Sequence, residues 1–119
     1  MAKERLLECA FLIPIHGDRS LSDGKKHPRR AWVWLENSLE VFGGATRDTA
    51  FQEGWYRDRD TGERVEDLSR RYTVAVPRQG LAPLRTLLRV ACGVFRQKCI
   101  YLSVAGQVEF VEGPSDEGS

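Results

Sequence analysis

At 119 residues the chain has the length of one domain, not two, and is long enough to bury about two-thirds of the surface its unfolded form would expose. Apolar residues at 41% and charged residues at 29% match ordinary globular usage and exclude a wholly disordered chain. Eighteen basic residues against seventeen acidic ones, a formal charge of +1, exclude a global field pulling the protein toward nucleic acid or membrane and leave such roles to local patches.

The first residues, Met1 to Arg5, are charged and lead directly into a short apolar segment, without the long apolar stretch and small-residue cleavage site of a signal peptide. No apolar run approaches the roughly eighteen residues that span a bilayer. Cys9, Cys92 and Cys99 are odd in number and form no CxxC pair. They read as free thiols in a reducing compartment, so a cytoplasmic location is expected.

Leu6 to Ile15 reads as the first strand: Leu7, Cys9, Phe11, Ile13 and Ile15 alternate with Glu8, Ala10, Leu12 and Pro14, and Pro14 ends regular pairing. His16 to His27, rich in Gly, Ser, Asp and Lys, is an exposed loop. Pro28 suits the first turn of a helix, on which Trp32, Leu35, Leu39 and Phe42 share one face until Gly43-Gly44 ends it. Thr46 to Tyr56 and Leu68 to Val76 form two strands of a hairpin around the Asp58 to Glu63 turn. The first of these, interrupted by Gly54 and charges, is the edge strand. Gly80 and Pro83 open a second helix with the stripe Leu84, Leu87, Leu88, Ala91, Val94 and Phe95. Lys98 to Val104 is the last main strand, followed by a brief extra strand at Val108 to Val111. The domain is expected over 1–112, with 113–119 an acidic, small-residue tail.

The order β, α, β, β, α, β predicts an α+β fold, a ferredoxin-like βαββαβ sandwich. Two helices cover one face of an antiparallel sheet whose first and third strands are central.

Candidate chemistries are few. Cys9 and Cys92 fall on core faces, where thiols are inert, and Cys99 points to the open sheet face. Zinc sites need paired Cys or His at short spacing. Here His16-Gly-Asp18 and His27 share one loop with Lys25, Lys26, Arg29 and Arg30, whose charge opposes a cation. No catalytic residue, no metal site and no cofactor is therefore expected. Asp48, Glu53, Asp58, Asp60, Glu63, Glu66 and Asp67 crowd the hairpin but alternate with Arg57, Arg59 and Arg64. That is the pattern of a solvated, salt-bridged surface, and nothing in it nominates one carboxylate. Phosphate-binding glycine motifs are absent.

Between Arg78 and Lys98 there are five basic residues and no acidic one. Arg85, Arg89 and Arg96 on one helical face offer a nucleic-acid contact by charge alone, without the aromatic platform that base stacking on the sheet would need. The open face, with Ala10, Leu12, Thr73, Ala75 and Tyr101, is semi-apolar and uncovered, the mark of a partner surface. Trp32 is assigned to the core; Trp34 points elsewhere on the same helix and is a candidate interface anchor, and Trp55, next to Gly54, caps a core edge or lines a groove.

Gly43-Gly44-Ala45-Thr46, Gly54-Trp55, Thr61-Gly62-Glu63 and Gln97-Lys-Cys-Ile-Tyr101, spread over residues 7–111, together resemble a group of small bacterial proteins of ferredoxin-like topology. The resemblance implies a bacterial origin and that fold, with no established activity and no site residue to transfer. The leading expectation is a non-catalytic interaction module, homodimeric or bound to another protein through the open sheet face. The alternatives are a small enzyme or ligand-binding protein with a pocket near Trp55 and the hairpin carboxylates, and a nucleic-acid binder.

Overall fold

The computed structural model describes residues 5–114. Its strands are β1 (Leu6–Pro14), β2 (Thr46–Arg47), β3 (Gln52–Arg57), β4 (Arg64–Pro77), β5 (Cys99–Val104) and β6 (Gln107–Glu112). The helices are α1 (Arg29–Leu39) and α2 (Leu81–Val94). All pair antiparallel in one sheet of order β2-β4-β1-β5-β6, with β3 also on the free edge of β4. The first and third main strands, β1 and β4, are central as expected. The order is compatible with the ferredoxin-like plan, with β6 added beyond the fourth main strand.

Period-two alternation decides which side of the sheet is covered. Cys9, Phe11 and Ile13 of β1, Tyr72, Val74 and Val76 of β4, and Ile100 and Leu102 of β5 are buried in one cluster with Ala31, Leu35 and Leu39 of α1 and Leu84, Leu88, Ala91, Cys92 and Phe95 of α2. Both helices therefore lie on one face. At about 25 cal/mol per Å2 of apolar surface removed from water, this cluster is the main favourable contribution to the fold. Trp32 and Phe42 are partly buried against it. The stripe of α2 differs from its sequence reading at one edge: Cys92 turns in, while Val94 is 36% exposed.

Two other boundaries move. The expected edge strand Thr46 to Tyr56 is broken into β2 and β3, because the chain bends at 48–51, where the Asp48 N–H donates to the Arg71 carbonyl at 3.0 Å. β4 begins at Arg64, four residues before Leu68, so β3 and β4 form an arm with pairs from Gln52↔Ser69 to Arg57↔Arg64. Gly113 is still tied in, its N–H donating to the Lys98 carbonyl at 3.0 Å; the rest of the expected tail, from residue 115, lies outside the described residues. Among those residues no helix is long and apolar enough to cross a membrane.

After α1 the chain makes one 3-10 turn, Glu40–Phe42, and stops at Gly43 with φ 88°. A Cβ placed there would meet no atom within 4 Å, so only backbone strain opposes a side chain. Gly43→Ala is expected to cost about 1 kcal/mol, the price of holding an L-residue left-handed, read as a lower midpoint in denaturant unfolding. An unchanged midpoint would mean that this turn does not depend on the glycine.

Candidate functional site

The central strand β1 stops at Pro14, opposite Ser69, while β4 continues outward with β3 as the arm. The sheet thus lacks its middle strand between the arm and the start of β5. Residues 15–18 cross this gap and are pinned on several sides. The Ile15 N–H donates to the Leu68 carbonyl, the Gly17 N–H to Lys25 and the Asp18 N–H to Arg96, each at 2.9 Å. The Gln97 side-chain amide donates to the His16 carbonyl at 2.8 Å. Mostly backbone hydrogen bonds fix this strap, so its hold does not use the side chains of His16 and Asp18; Oδ1 of Asp18 accepts from the Ser20 N–H at 2.8 Å and the Ser20 hydroxyl at 2.6 Å.

Above the strap, on the open face, sits the one hairpin carboxylate that the fold singles out. Asp67 is half-buried, and that burial pushes its carboxyl above the usual range. The Leu68 N–H and His16 oppose the shift, while Asp18 adds to it. Gly54 lies directly across from Asp67 in the β3–β4 register, and a Cβ there would meet nothing within 4 Å. The missing side chain leaves a notch over the carboxylate. Tyr56, two residues along the same face, flanks it. Burial of the phenol end, then Asp18, Asp67, Asp58 and Cys99, hold the Tyr56 hydroxyl above its ordinary value, though the residue as a whole is 54% exposed. Cys99, across the gap at the start of β5, has its thiol pushed up by burial, then by Glu112 and Asp18. It stays protonated at neutral pH and is a poor nucleophile. Asp67 and Asp18 beside the single ring of Tyr56, whose phenol stays protonated, gather acidic groups and one hydrogen-bond donor at this notch.

A second, differently charged cleft lies on the helix side. It is an open groove of about 580 Å3 along α1, lined by Ile15, Lys26, His27, Arg29, Trp32, Val33, Glu36, Arg47, Phe51 and Arg70. Glu36 accepts hydrogen bonds from the Tyr72 hydroxyl at 2.7 Å and from Arg47 at 2.6 Å. Burial, then Glu36, push the Tyr72 hydroxyl up to about 12. His27 is buried between the rings of Trp32 and Phe95. Its Nε2 donates to the Pro14 carbonyl at 2.8 Å, which leaves Nδ1 as an acceptor without a partner among the described residues. Burial, first among the causes, holds this imidazole below its ordinary value, and therefore neutral.

The residues singled out from sequence are only partly brought together. Ala10, Leu12, Thr73, Ala75 and Tyr101 do share the open face through the pairs Ala10↔Thr73 and Leu12↔Tyr101. Ala10, however, is only 6% exposed there. Trp34 is on the opposite side of the molecule, in a shallow groove with Val94 and Arg96. Trp55 is 68% exposed on the other face of the arm from Asp67, with the Arg64 guanidinium 5.1 Å from its ring centre. On the arm it is Tyr56, and not Trp55, that shares a face with Asp67, because neighbours along a strand face opposite ways. Of the three arginines expected to form a basic face, Arg85 is engaged by Glu109 in two hydrogen bonds of 2.6 and 3.0 Å. Arg96 lies past the end of α2 with φ 52° and meets Asp23 at 3.5 Å, so of the three only Arg89 is without an ion pair among the described residues. His16 and His27 do not converge: His27 belongs to the core side, against the expectation that both histidines are exposed. Among the described residues no group of three or more metal-ligating side chains occurs.

No protein-family model matches the sequence, and no curated protein does. Solved structures do match the fold. A phage SAM lyase in complex with S-methyl-5'-thioadenosine superposes with a TM-score of 0.65 and 10% identity, covering 100% of this chain and 97% of that one. A phage SAM lyase in its apo state gives 0.59 and 14% identity, with 100% and 99% covered. These similarities support the α+β architecture end to end. They also correct the leading functional expectation: the two matched structures are those of an enzyme, not of a non-catalytic interaction module, and they favour the alternative of a small enzyme or ligand-binding protein.

Proposed function

We propose that the protein is a small lyase acting on a sulfonium nucleoside of the S-adenosylmethionine class, its positive sulfur held at the notch by Asp67 and Asp18 beside Tyr56. The observation that carries this reading is the full-length match, in both directions, to the phage SAM lyase bound to S-methyl-5'-thioadenosine. The charge of the notch supports it independently, since a sulfonium seeks carboxylates and the face of an aromatic ring, and the arginine-lined groove on the helix side would repel one.

Cleavage of a sulfonium C–S bond without water leaves the electron pair on sulfur, which departs as a neutral thioether. The released carbon fragment must then form its compensating bond within itself. Such chemistry asks for no metal and no external oxidant. It asks for a site that gathers a cation, orients the chain attached to it and keeps water from the carbon. Asp67, already partly desolvated, gives up little hydration when the sulfonium meets it. The Tyr56 hydroxyl, held protonated, is available as a donor to a substrate oxygen.

Incubation of the purified protein with S-adenosylmethionine in isotope-labelled water, followed by mass spectrometry, tests the reading. The expected result is time-dependent release of methylthioadenosine with no label in either product. Unchanged substrate after prolonged incubation would overturn the proposal. Label in the carbon fragment would replace a lyase with a hydrolase.

A further inference from the structure

The groove along α1 is built for the opposite charge. Four cations, Lys26, Arg29, Arg47 and Arg70, line it against one carboxylate, Glu36, and that carboxylate is already held by Arg47 and the Tyr72 hydroxyl. Among the described residues Lys26, Arg29 and Arg70 form no ion pair with an acid.

Arg70 is the most constrained of them. Its guanidinium lies 4.3 Å from the Trp32 ring centre and 6.0 Å from that of Phe51. A guanidinium held over the Trp32 ring and near that of Phe51 has lost part of its conformational freedom before any ligand arrives, so less is lost when its N–H groups engage a planar or tetrahedral anion. Like-charged side chains gathered around one apolar-walled cleft repel one another, and an anion would relieve that repulsion. The apolar walls, Ile15, Val33 and Phe51, and a volume of about 580 Å3 fit a compact ligand body better than a bare ion.

We propose that this groove is a second binding site, separate from the open-face notch, for a phosphate ester carried on a planar apolar body, the class of a nucleoside monophosphate. The phosphate meets Arg70 with Lys26 and Arg29, and the ring system lies against Phe51. Lys26 and Arg29, both exposed, supply the outer, salt-sensitive part of the attraction, and Arg70 the directional part.

Titration of the protein's tryptophan fluorescence with adenosine monophosphate, adenosine, inorganic phosphate and a single-stranded oligonucleotide tests this. The monophosphate is expected to bind and to change the emission. Adenosine should bind at least tenfold more weakly, and the affinity should fall as salt rises. Arg70→Leu should weaken the monophosphate at least tenfold, and so should Lys26→Glu combined with Arg29→Glu. The latter pair lies on the surface and keeps the test valid should Arg70→Leu fail to fold. Asp67→Asn should leave monophosphate binding unchanged, which separates this site from the lyase reading. Equal binding of adenosine and its monophosphate, or wild-type affinity in both groove variants, would overturn the proposal. So would an oligonucleotide that binds far more tightly than the monophosphate and alone responds to the groove variants, since the surface would then be a track for nucleic acid.

Discussion

Asp67→Asn is expected to lower cleavage of S-adenosylmethionine about 100-fold or more, the scale on which a positioned ionisable group contributes in an active site, while leaving the protein at least as stable at neutral pH. The two halves of this expectation come from the same burial. A carboxyl raised in the folded state binds its proton more tightly there than in the unfolded chain. Its contribution to stability is therefore complete below the ordinary aspartate value of about 4 and is lost as pH rises through the higher folded value. At pH 7 the ionised Asp67 costs stability, and asparagine removes that cost while keeping the size of the side chain. Below pH 4 both forms are neutral and the difference should vanish. Activity assays paired with denaturant midpoints at pH 4 and 7 check both halves. A variant that loses stability at pH 7, or retains full activity, would show that Asp67 serves the fold and not the substrate.

The sheet and its covered face are legible in the sequence because burial imposes a period. Cys9, Phe11 and Ile13 must alternate to reach one core, and Leu35 and Leu39 must be four apart to meet it. Where burial stops, the signal stops. The arm between Arg57 and Arg64 is solvated on both faces, so nothing in its composition marks where β4 starts. Val94 and Cys92 lie at the edge of a helical stripe, where a small rotation decides which is covered. The candidate site is the least legible part, and for a physical reason. Asp67 is chemically the same as Asp58 or Asp60, and it differs only through what the fold does around it. β1 ends at Pro14, Gly54 stands across the register, and the strap at 15–18 brings up Asp18. Asp58 instead accepts from the N–H groups of Asp60 and Thr61 and caps the arm's own turn. Gly54 and Pro14 were visible from the start as interruptions of strands. Read together as the limits of two neighbouring strands, they were the available signal for a gap.

Phe11→Ala is expected to cost about 3–5 kcal/mol, a large share of the 5–15 kcal/mol that holds a domain of this kind together. Phe11 is fully buried at the middle of the central strand, with Tyr72 opposite in β4 and Leu102 opposite in β5. Its ring is stacked on that of Tyr72, the centroids 5.4 Å apart and the planes within 18°. Removing it leaves a cavity that neither central strand can close, because each is held in register by both neighbours. The effect should also travel. The Tyr72 ring would lose the surface that fixes it, and its hydroxyl is what holds Glu36 on the far side of the ring. Glu36 in turn restrains Arg47 at the groove. Phe11→Leu keeps most of the volume and should cost far less, within about 1.5 kcal/mol. Urea unfolding of the two variants measures the first claim. Monophosphate titration of whichever folds measures the second, with weaker binding expected for alanine than for leucine. A loss below 1.5 kcal/mol for the alanine variant would mean that the core closes around the gap, and that the packing of β1 against β4 does not govern the position of Tyr72.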